Sequence, residues 1–504
     1  MIGRVLSATP VGFQGQIIDV EGDLSAGLPN LQIIGLGNKA IDEAKDRVRS
    51  AIKNSLLDFP KGKIVINLAP AELPKDGTHF DLPIALSILL LGGSLTADNI
   101  GSGLFVGELA LDGSIRPVKS VITATEAAKA HNVTTVYVPE ANAPQALLID
   151  GLSIIPVKDL KQLFLHLKGE SRISPATPLD RPAAPKRNDI LMDHINGQEQ
   201  AKRAIAIAVA GRHNILLSGS PGSGKTMLAR ALNNLLPPLQ DSEIIEVTKL
   251  HNLGGESIDE IITRRPFRSP HHTASQASII GGGTKAKPGE ISLAHRGTLF
   301  LDELLEYPRS ILESLRQPLE DRTISVSRTQ GKYQYPADFI LVGTMNPCPC
   351  GYYGDNEKAC SCTSMQILNY QKRLSGPLLD RIDLTISVSR VAHEDLLGNK
   401  SLSDKQHKAY RLMIENAIAY QQNRYSSSNM YNGSITSQDI DKHISLKPEV
   451  KAFLVSSAKK LDLSARSYFK IIKVARTIAD IDGDQDIETK HIAEALSYRQ
   501  ISAA

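Results

Sequence analysis

The chain has 504 residues, of which 41% are hydrophobic and 22% charged, with a net charge of +3 and no Trp. Its length exceeds what one hydrophobic core serves and predicts about three domains. The composition excludes disordered and fibrous classes, and so weak a net charge confines any nucleic-acid contact to a local patch.

The first residues lack the long apolar segment of a secretory leader, and the apolar run Leu82 to Leu91 is too short to span a bilayer. The expectation is a cytoplasmic protein with no membrane partner. Residues 1–168 alternate strand-like runs, Ile64 to Leu68 and Thr135 to Val138, with helical ones, Asp81 to Leu91 and Val121 to His131. Residues 169–189 form a proline-rich, polar linker. Residues 190–392 carry strand–loop–helix units and predict an α/β core with a mainly parallel sheet. Residues 393–504 are helical in pattern, with Lys451 to Leu461, Ser467 to Asp480 and His491 to Tyr498 as candidate helices around a polar gap near Ser426 to Ser434.

Within the core, Gly219-Ser220-Pro221-Gly222-Ser223-Gly224-Lys225-Thr226 follows the apolar run Asn214 to Leu217 and precedes a helical run, Met227 to Leu236. This is the phosphate-loop pattern in its proper context. The glycines let backbone N–H groups approach phosphates, Lys225 reaches the β/γ oxygens, and the Thr226 hydroxyl belongs on Mg²⁺. ATP and Mg²⁺ are therefore the expected cofactors. Thr298 to Leu301 is an apolar strand that ends in Asp302 and Glu303. Asp302 suits Mg²⁺ through water, and Glu303 suits polarisation of the attacking water. A third strand, Phe339 to Val342, leads to Asn346, which can align that water. Arg381 lies in Leu378-Leu-Asp-Arg381-Ile-Asp383; its spacing fits equally an arginine finger and a salt bridge at a helix end.

All four cysteines lie between Cys348 and Cys362. Cys348-Pro-Cys350 and Cys360-Ser-Cys362 can close a tetrahedral Zn²⁺ site with no open position, although the spacing is looser than a zinc ribbon. An iron–sulfur cluster and four free thiols remain as alternatives. A metal here would pin the loop that follows Asn346.

The segments Pro266 to Ser275, Gly281 to Gly283, Pro288 to His295, Leu315 to Asp321 and Leu374 to Asp383 resemble the ComM/YifB family of magnesium-chelatase-like AAA+ ATPases along nearly the whole chain. The resemblance implies an α+β Lon-protease-like N-terminal domain, a P-loop AAA+ α/β core, a C-terminal helical lid, and assembly into a homo-hexamer. It assigns Asn346 to sensor 1, Arg381 to the arginine finger and Arg466 to sensor 2. It also implies ATP-driven branch migration on single-stranded or branched DNA during natural transformation and recombination.

In Lon-type proteases a Ser nucleophile sits beside a Lys base. Here the matching positions carry His79 and Ile122, and Lys119 is about one helical turn away. A Ser/Lys pair must sit within hydrogen-bond reach, so this domain reads as a non-proteolytic scaffold for ring assembly or DNA contact. Glu320 to Pro336 reads as a hairpin with Arg328 and Lys332 flanking its tip, and Gly281 to Lys287 as a Gly-rich insertion bearing Lys285 and Lys287. Either can grip phosphates or serve as an ordinary solvated loop. A DNA motor is thus the leading expectation, and a chelatase-type or protein-remodelling ATPase the alternative.

Overall fold

The computed structural model describes residues 2–35, 39–73, 75, 77–177, 189–256, 258–283, 286–328, 331–355, 357–390 and 404–499. Most of the linker expected at 169–189, the start of the region expected as a lid, Lys285, and the side chain of Arg328 lie outside them.

The N-terminal region is built on a seven-stranded mixed sheet. Its order is Asn30–Ile34, Lys63–Ala69, Gln14–Ser25, Ile2–Val11, Leu104–Phe105, Thr135–Pro139 and Ser153–Val157. Alternate residues of Lys63–Ala69 are buried, the period-two pattern of a strand with one covered face. The helix Asp81–Leu91 is buried along its whole length, as its unbroken apolar sequence requires. Its one carboxylate, Asp81, is paired with Arg47 at 2.8 Å.

The second sheet has five parallel strands in the order Phe267–Arg268, Thr298–Leu301, Ile340–Met345, Ile215–Ser218 and Leu384–Ser387. Parallel strands covered on both faces are apolar throughout, and all six residues of Ile340–Met345 are buried. The strand carried by the phosphate-loop pattern lies inside the sheet, between the strand ending near Asn346 and the strand following Arg381. On one face, the buried helix Glu199–Gly211 joins the sheet to the C-terminal helices Lys405–Tyr425 and Ala465–Asp482 in one hydrophobic cluster. The C-terminal helices are therefore bonded to the core by apolar burial as well as by chain connection.

The hairpin expected near residues 320–336 is formed by Thr323–Arg328 and Gly331–Pro336, in register from Thr323 with Pro336 to Arg328 with Gly331. The N-terminal region meets the core beside it. Lys249 sits 4.0 Å from the centroid of the Phe13 ring and pairs with Glu126. Asn142 and Gln145 donate to the carbonyls of Ile258 and Glu260 at 3.1 and 2.9 Å. Among the described residues no helix is long and apolar enough to cross a membrane.

Candidate functional site

The residues singled out for nucleotide chemistry converge at the C-terminal edge of the five-stranded sheet, where open parallel sheets bind ligands. The loop after Ile215–Ser218 turns sharply because Gly222 and Gly224 adopt φ of +81° and +86°, a region that glycine enters without a Cβ clash. Gly219 is confined by space: a Cβ there would stand 2.2 Å from the carbonyl oxygen of Val388. The helix Lys225–Leu235 starts directly after Gly224, so its N-terminus and the loop together make an anion-attracting end.

The Lys225 ammonium folds back over this loop. It donates to the carbonyls of Gly219 and Ser220 at 2.7 and 2.9 Å and approaches Asn346 Oδ1 at 3.5 Å. Burial pushes its pKa down, and the carboxylates of Asp302 and Glu303 push it up. Both carboxylates are exposed at the same sheet edge. Thr344 holds the pair in place: its hydroxyl donates to Asp302 and accepts the Glu303 N–H at 3.0 Å. Glu303 turns the chain with φ of 50°, a left-handed conformation that is strained outside glycine. Thr226 is exposed at the start of the helix. The arrangement can seat a polyphosphate against backbone N–H groups and Lys225. It can also offer a cation the Thr226 hydroxyl and the Asp302 carboxylate, and leaves Glu303 facing solvent as a base.

Arg381 is elsewhere. Its carbonyl accepts from Asn214 Nδ2 at 2.9 Å, and Asn214 precedes the strand whose far end opens into Gly219. Five residues of extended chain separate these ends by about 16 Å. Arg381 is nearly buried and pairs with Glu320 at 2.6 Å. Arg466, exposed near the start of the helix Ala465–Asp482, pairs with the same Glu320 oxygen at 2.8 Å. The two guanidiniums hold the Glu320 carboxyl below its ordinary range. The sequence-predicted set thus splits in two: Lys225, Asp302, Glu303 and Asn346 at one edge, Arg381 and Arg466 at the other.

The four cysteines come together. Cys348, Cys350 and Cys360 have sulfur separations of 3.3, 3.7 and 3.5 Å, and all four sulfurs lie within 4.8 Å of one another. A tetrahedral Zn²⁺ with Zn–S near 2.3 Å sets its sulfurs about 3.8 Å apart, so the donor set fits that ion. Backbone N–H groups of Tyr353, Cys350 and Cys362 point at sulfurs at 3.3 to 3.4 Å.

The hairpin carries Lys332 exposed, and the Tyr335 hydroxyl donates to the Ala286 carbonyl at 2.7 Å. This bond ties the hairpin to the Gly-rich insertion, in which Gly281–Gly282 pairs with Lys287–Pro288. In the N-terminal region, Ile122 is fully buried and His79 nearly so. His79, Lys119 and Ser120 line one small pocket.

Sequence reasoning missed Thr344, Glu320, Asp355 and Gln198. Thr344 had a signal: a hydroxyl residue one strand over from the acidic pair. Gln198, which donates to the Ser223 carbonyl at 2.8 Å, had none.

Comparison with known proteins gives this geometry a family. Residues 191–396 match the profile of magnesium chelatase subunit ChlI, residues 404–499 that of its C-terminal part, and residues 20–142 that of subunit ChlI of Mg-chelatase. The chain is 41% identical over 501 residues to competence protein ComM of Haemophilus influenzae, covering 98% of this chain and 97% of that protein. The chain belongs to the ComM/YifB family. It is likewise 41% identical to YifB of Escherichia coli K12 over 498 residues, 97% of this chain and 96% of the relative. The likeness to the magnesium-chelatase 67 kDa subunit of Heliobacterium mobile is narrower, 27% over 221 residues, 38% of this chain and 33% of that protein. As a ComM/YifB member the chain has magnesium-chelatase-like AAA+ domains, and its parallel α/β core with C-terminal helices is the fold described above.

Proposed function

We propose that the protein is a cytoplasmic, hexameric ATP-driven DNA motor that migrates branch points. The observation carrying this reading is the separation of Lys225, Asp302, Glu303 and Asn346 from Arg381 across the sheet. A subunit whose Arg381 backbone meets Asn214, one strand length of about 16 Å from its own phosphate loop, calls for a neighbour to complete each site, and a closed ring supplies one to every subunit.

In this reading Gly219 to Thr226 seats the ATP phosphates, Thr226 and Asp302 hold the accompanying Mg²⁺, and Glu303 takes the proton of the attacking water. Asn346 aligns that water, and a neighbour's Arg381 neutralises charge developing on the γ-phosphate, with Arg466 beside it. When bound, Mg²⁺ neutralises phosphate charge. Cys348, Cys350, Cys360 and Cys362 hold a structural Zn²⁺. The N-terminal region is a Lon-like scaffold without a protease pair.

The DNA part of the reading rests on the paired hairpins bearing Lys332 and Lys287 and on the similarity to a competence protein. The similarity to a magnesium-chelatase subunit favours the second reading, a remodelling ATPase acting on a protein partner. A labelled three- or four-way junction, incubated with assembled protein and ATP at moderate salt, separates the two. Strand movement and stimulation of ATP hydrolysis by branched DNA are expected. No movement on any branched substrate, together with no stimulation, would transfer the assignment to protein remodelling.

A further inference from the structure

The cysteine loop touches more than its own sulfurs. Between Cys350 and Cys360 no helix or strand forms among the described residues, and the apolar content of the segment is limited to Tyr352, Tyr353 and Ala359, too little for a core of its own. Yet the segment meets the phosphate loop directly at two places and through Arg390 at a third. The Asp355 side chain, only 4% exposed, faces Ser220. Gly351 lies against the Pro221 ring so closely that a Cβ would stand 2.7 Å from Pro221 Cδ. Arg390 links the two loops: it donates to the Pro221 carbonyl at 3.2 Å, pairs with Glu357 at 3.3 Å and with Asp355 at 3.6 Å, and lies 5.5 Å from the centroid of the Tyr352 ring. At its other end the loop begins at Cys348, two residues after Asn346, which approaches Lys225.

A loop without a core takes its shape from its cross-links. Four sulfurs within 4.8 Å of one another are joined when a metal displaces their protons, and metal binding is then the folding energy of the loop. We propose that zinc held by Cys348, Cys350, Cys360 and Cys362 sets the affinity of the nucleotide site, because the zinc-folded loop clamps Ser220 and Pro221 in the phosphate-binding shape. The proposal rests on the zinc reading above and adds its consequence for ATP. Zinc-loaded protein has a preorganised phosphate loop; zinc-free protein must order that loop on binding, which weakens its apparent affinity.

The test uses the full chain as purified, with metal content measured by mass spectrometry and Kd by a fluorescent ATP analogue in the presence of Mg²⁺. Removing zinc with a chelator that leaves Mg²⁺ in place is expected to raise Kd about tenfold, and one equivalent of zinc per chain to restore it. Asp355→Ala should retain zinc, keep the wild-type circular dichroism spectrum and still bind nucleotide several-fold more weakly, which separates the clamp from the metal itself. Zinc bound in wild type, but with Kd unmoved by chelation and by Asp355→Ala, overturns the coupling while the zinc site stands. Wild-type protein that carries no zinc overturns both. Should Asp355→Ala misfold, the chelation and restoration experiment decides alone.

Discussion

Lys470, on the helix Ala465–Asp482, donates to the carbonyl oxygen of Ile382 at 2.6 Å, the residue after Arg381. It also reaches the Leu379 carbonyl at 3.4 Å. Arg466 lies four residues earlier, on the same helix face, and shares Glu320 with Arg381. One turn of the C-terminal helix therefore grips the arginine segment from two sides. Burial pushes the Lys470 pKa down, against the pull of Asp383, so the charge is kept there at some cost. Lys470→Met should loosen Arg381 and leave the phosphate loop intact. ATP turnover is expected to fall at least tenfold, a fraction of what arginine fingers are worth, with nucleotide Kd unchanged. A raised Kd at normal turnover would assign Lys470 to nucleotide binding instead.

Glu303 and Lys225 make separable contributions to the same edge. The Glu303 side chain faces solvent, while its backbone is held by Thr344 at the N–H and by the Glu306 N–H at the carbonyl. Glu303→Gln should leave ATP binding intact and lower hydrolysis by about 100-fold or more, the scale of a lost general base. Lys225→Ala removes the ammonium over the phosphate loop and should weaken binding itself. Equal hydrolysis by Glu303→Gln and wild type would refute the role given to that strand end.

The placement of Arg381 across the sheet makes mixed assemblies informative. Arg381→Ala and Lys225→Ala subunits are each expected to be inactive alone. Mixed, they should recover part of the activity, because some interfaces pair an intact phosphate loop with an intact arginine. The readout is ATPase against mixing ratio. Full-rate turnover by an isolated monomer would remove the need for a neighbour.

The sequence made the nucleotide edge legible because each part is local: a glycine pattern between a strand and a helix, and an apolar strand ending in acids. The hairpin was legible for the same reason, since its alternation and turn lie within one short segment. What the sequence hid depends on distant chain segments meeting. Glu320 lies in a segment that carries the family resemblance, but its place between Arg381 and Arg466 exists only once helix and sheet share a core. Asp355 read as one acid in a polar loop, and its pairing with Arg390, which donates to the Pro221 carbonyl of the phosphate loop, follows from the fold. The cysteines announced a cluster beside Asn346, but only the fold put its loop against Pro221 of the phosphate loop.

A last prediction concerns acid stability of the nucleotide-binding core. Asp338, just before the strand Ile340–Met345, lies among Arg212 at 3.0 Å, Arg296 at 2.9 Å and Arg322 at 3.6 Å. Burial opposes its ionisation, but these guanidiniums outweigh it and hold the carboxyl at about 2. Glu246 is likewise held at about 2, where burial is outweighed by hydrogen bonds from His295 and Arg296. The Asp338 N–H donates to His295 Nδ1 at 3.0 Å, which fixes the proton on Nε2 facing Glu246 at 3.0 Å; burial pushes the His295 pKa below its ordinary 6.5. All three groups bind fewer protons folded than unfolded, so each contributes stability that is lost as pH falls. For His295 the loss begins below its ordinary 6.5. For the carboxylates it runs from their ordinary values of 4.5 and 3.8 down to about 2. Asp338→Asn removes one of the anions shared by the buried Arg212 and Arg296 guanidiniums and should cost about 3 kcal/mol at pH 7. It should also flatten the decline of stability between pH 3.8 and about 2, because the proton that drives part of it has no carboxylate to bind. With no Trp in the chain, urea denaturation followed by circular dichroism at a series of pH values is the suitable measurement. A variant as stable as wild type at pH 7, with the same acid slope, would show that the arginine cluster does not depend on Asp338.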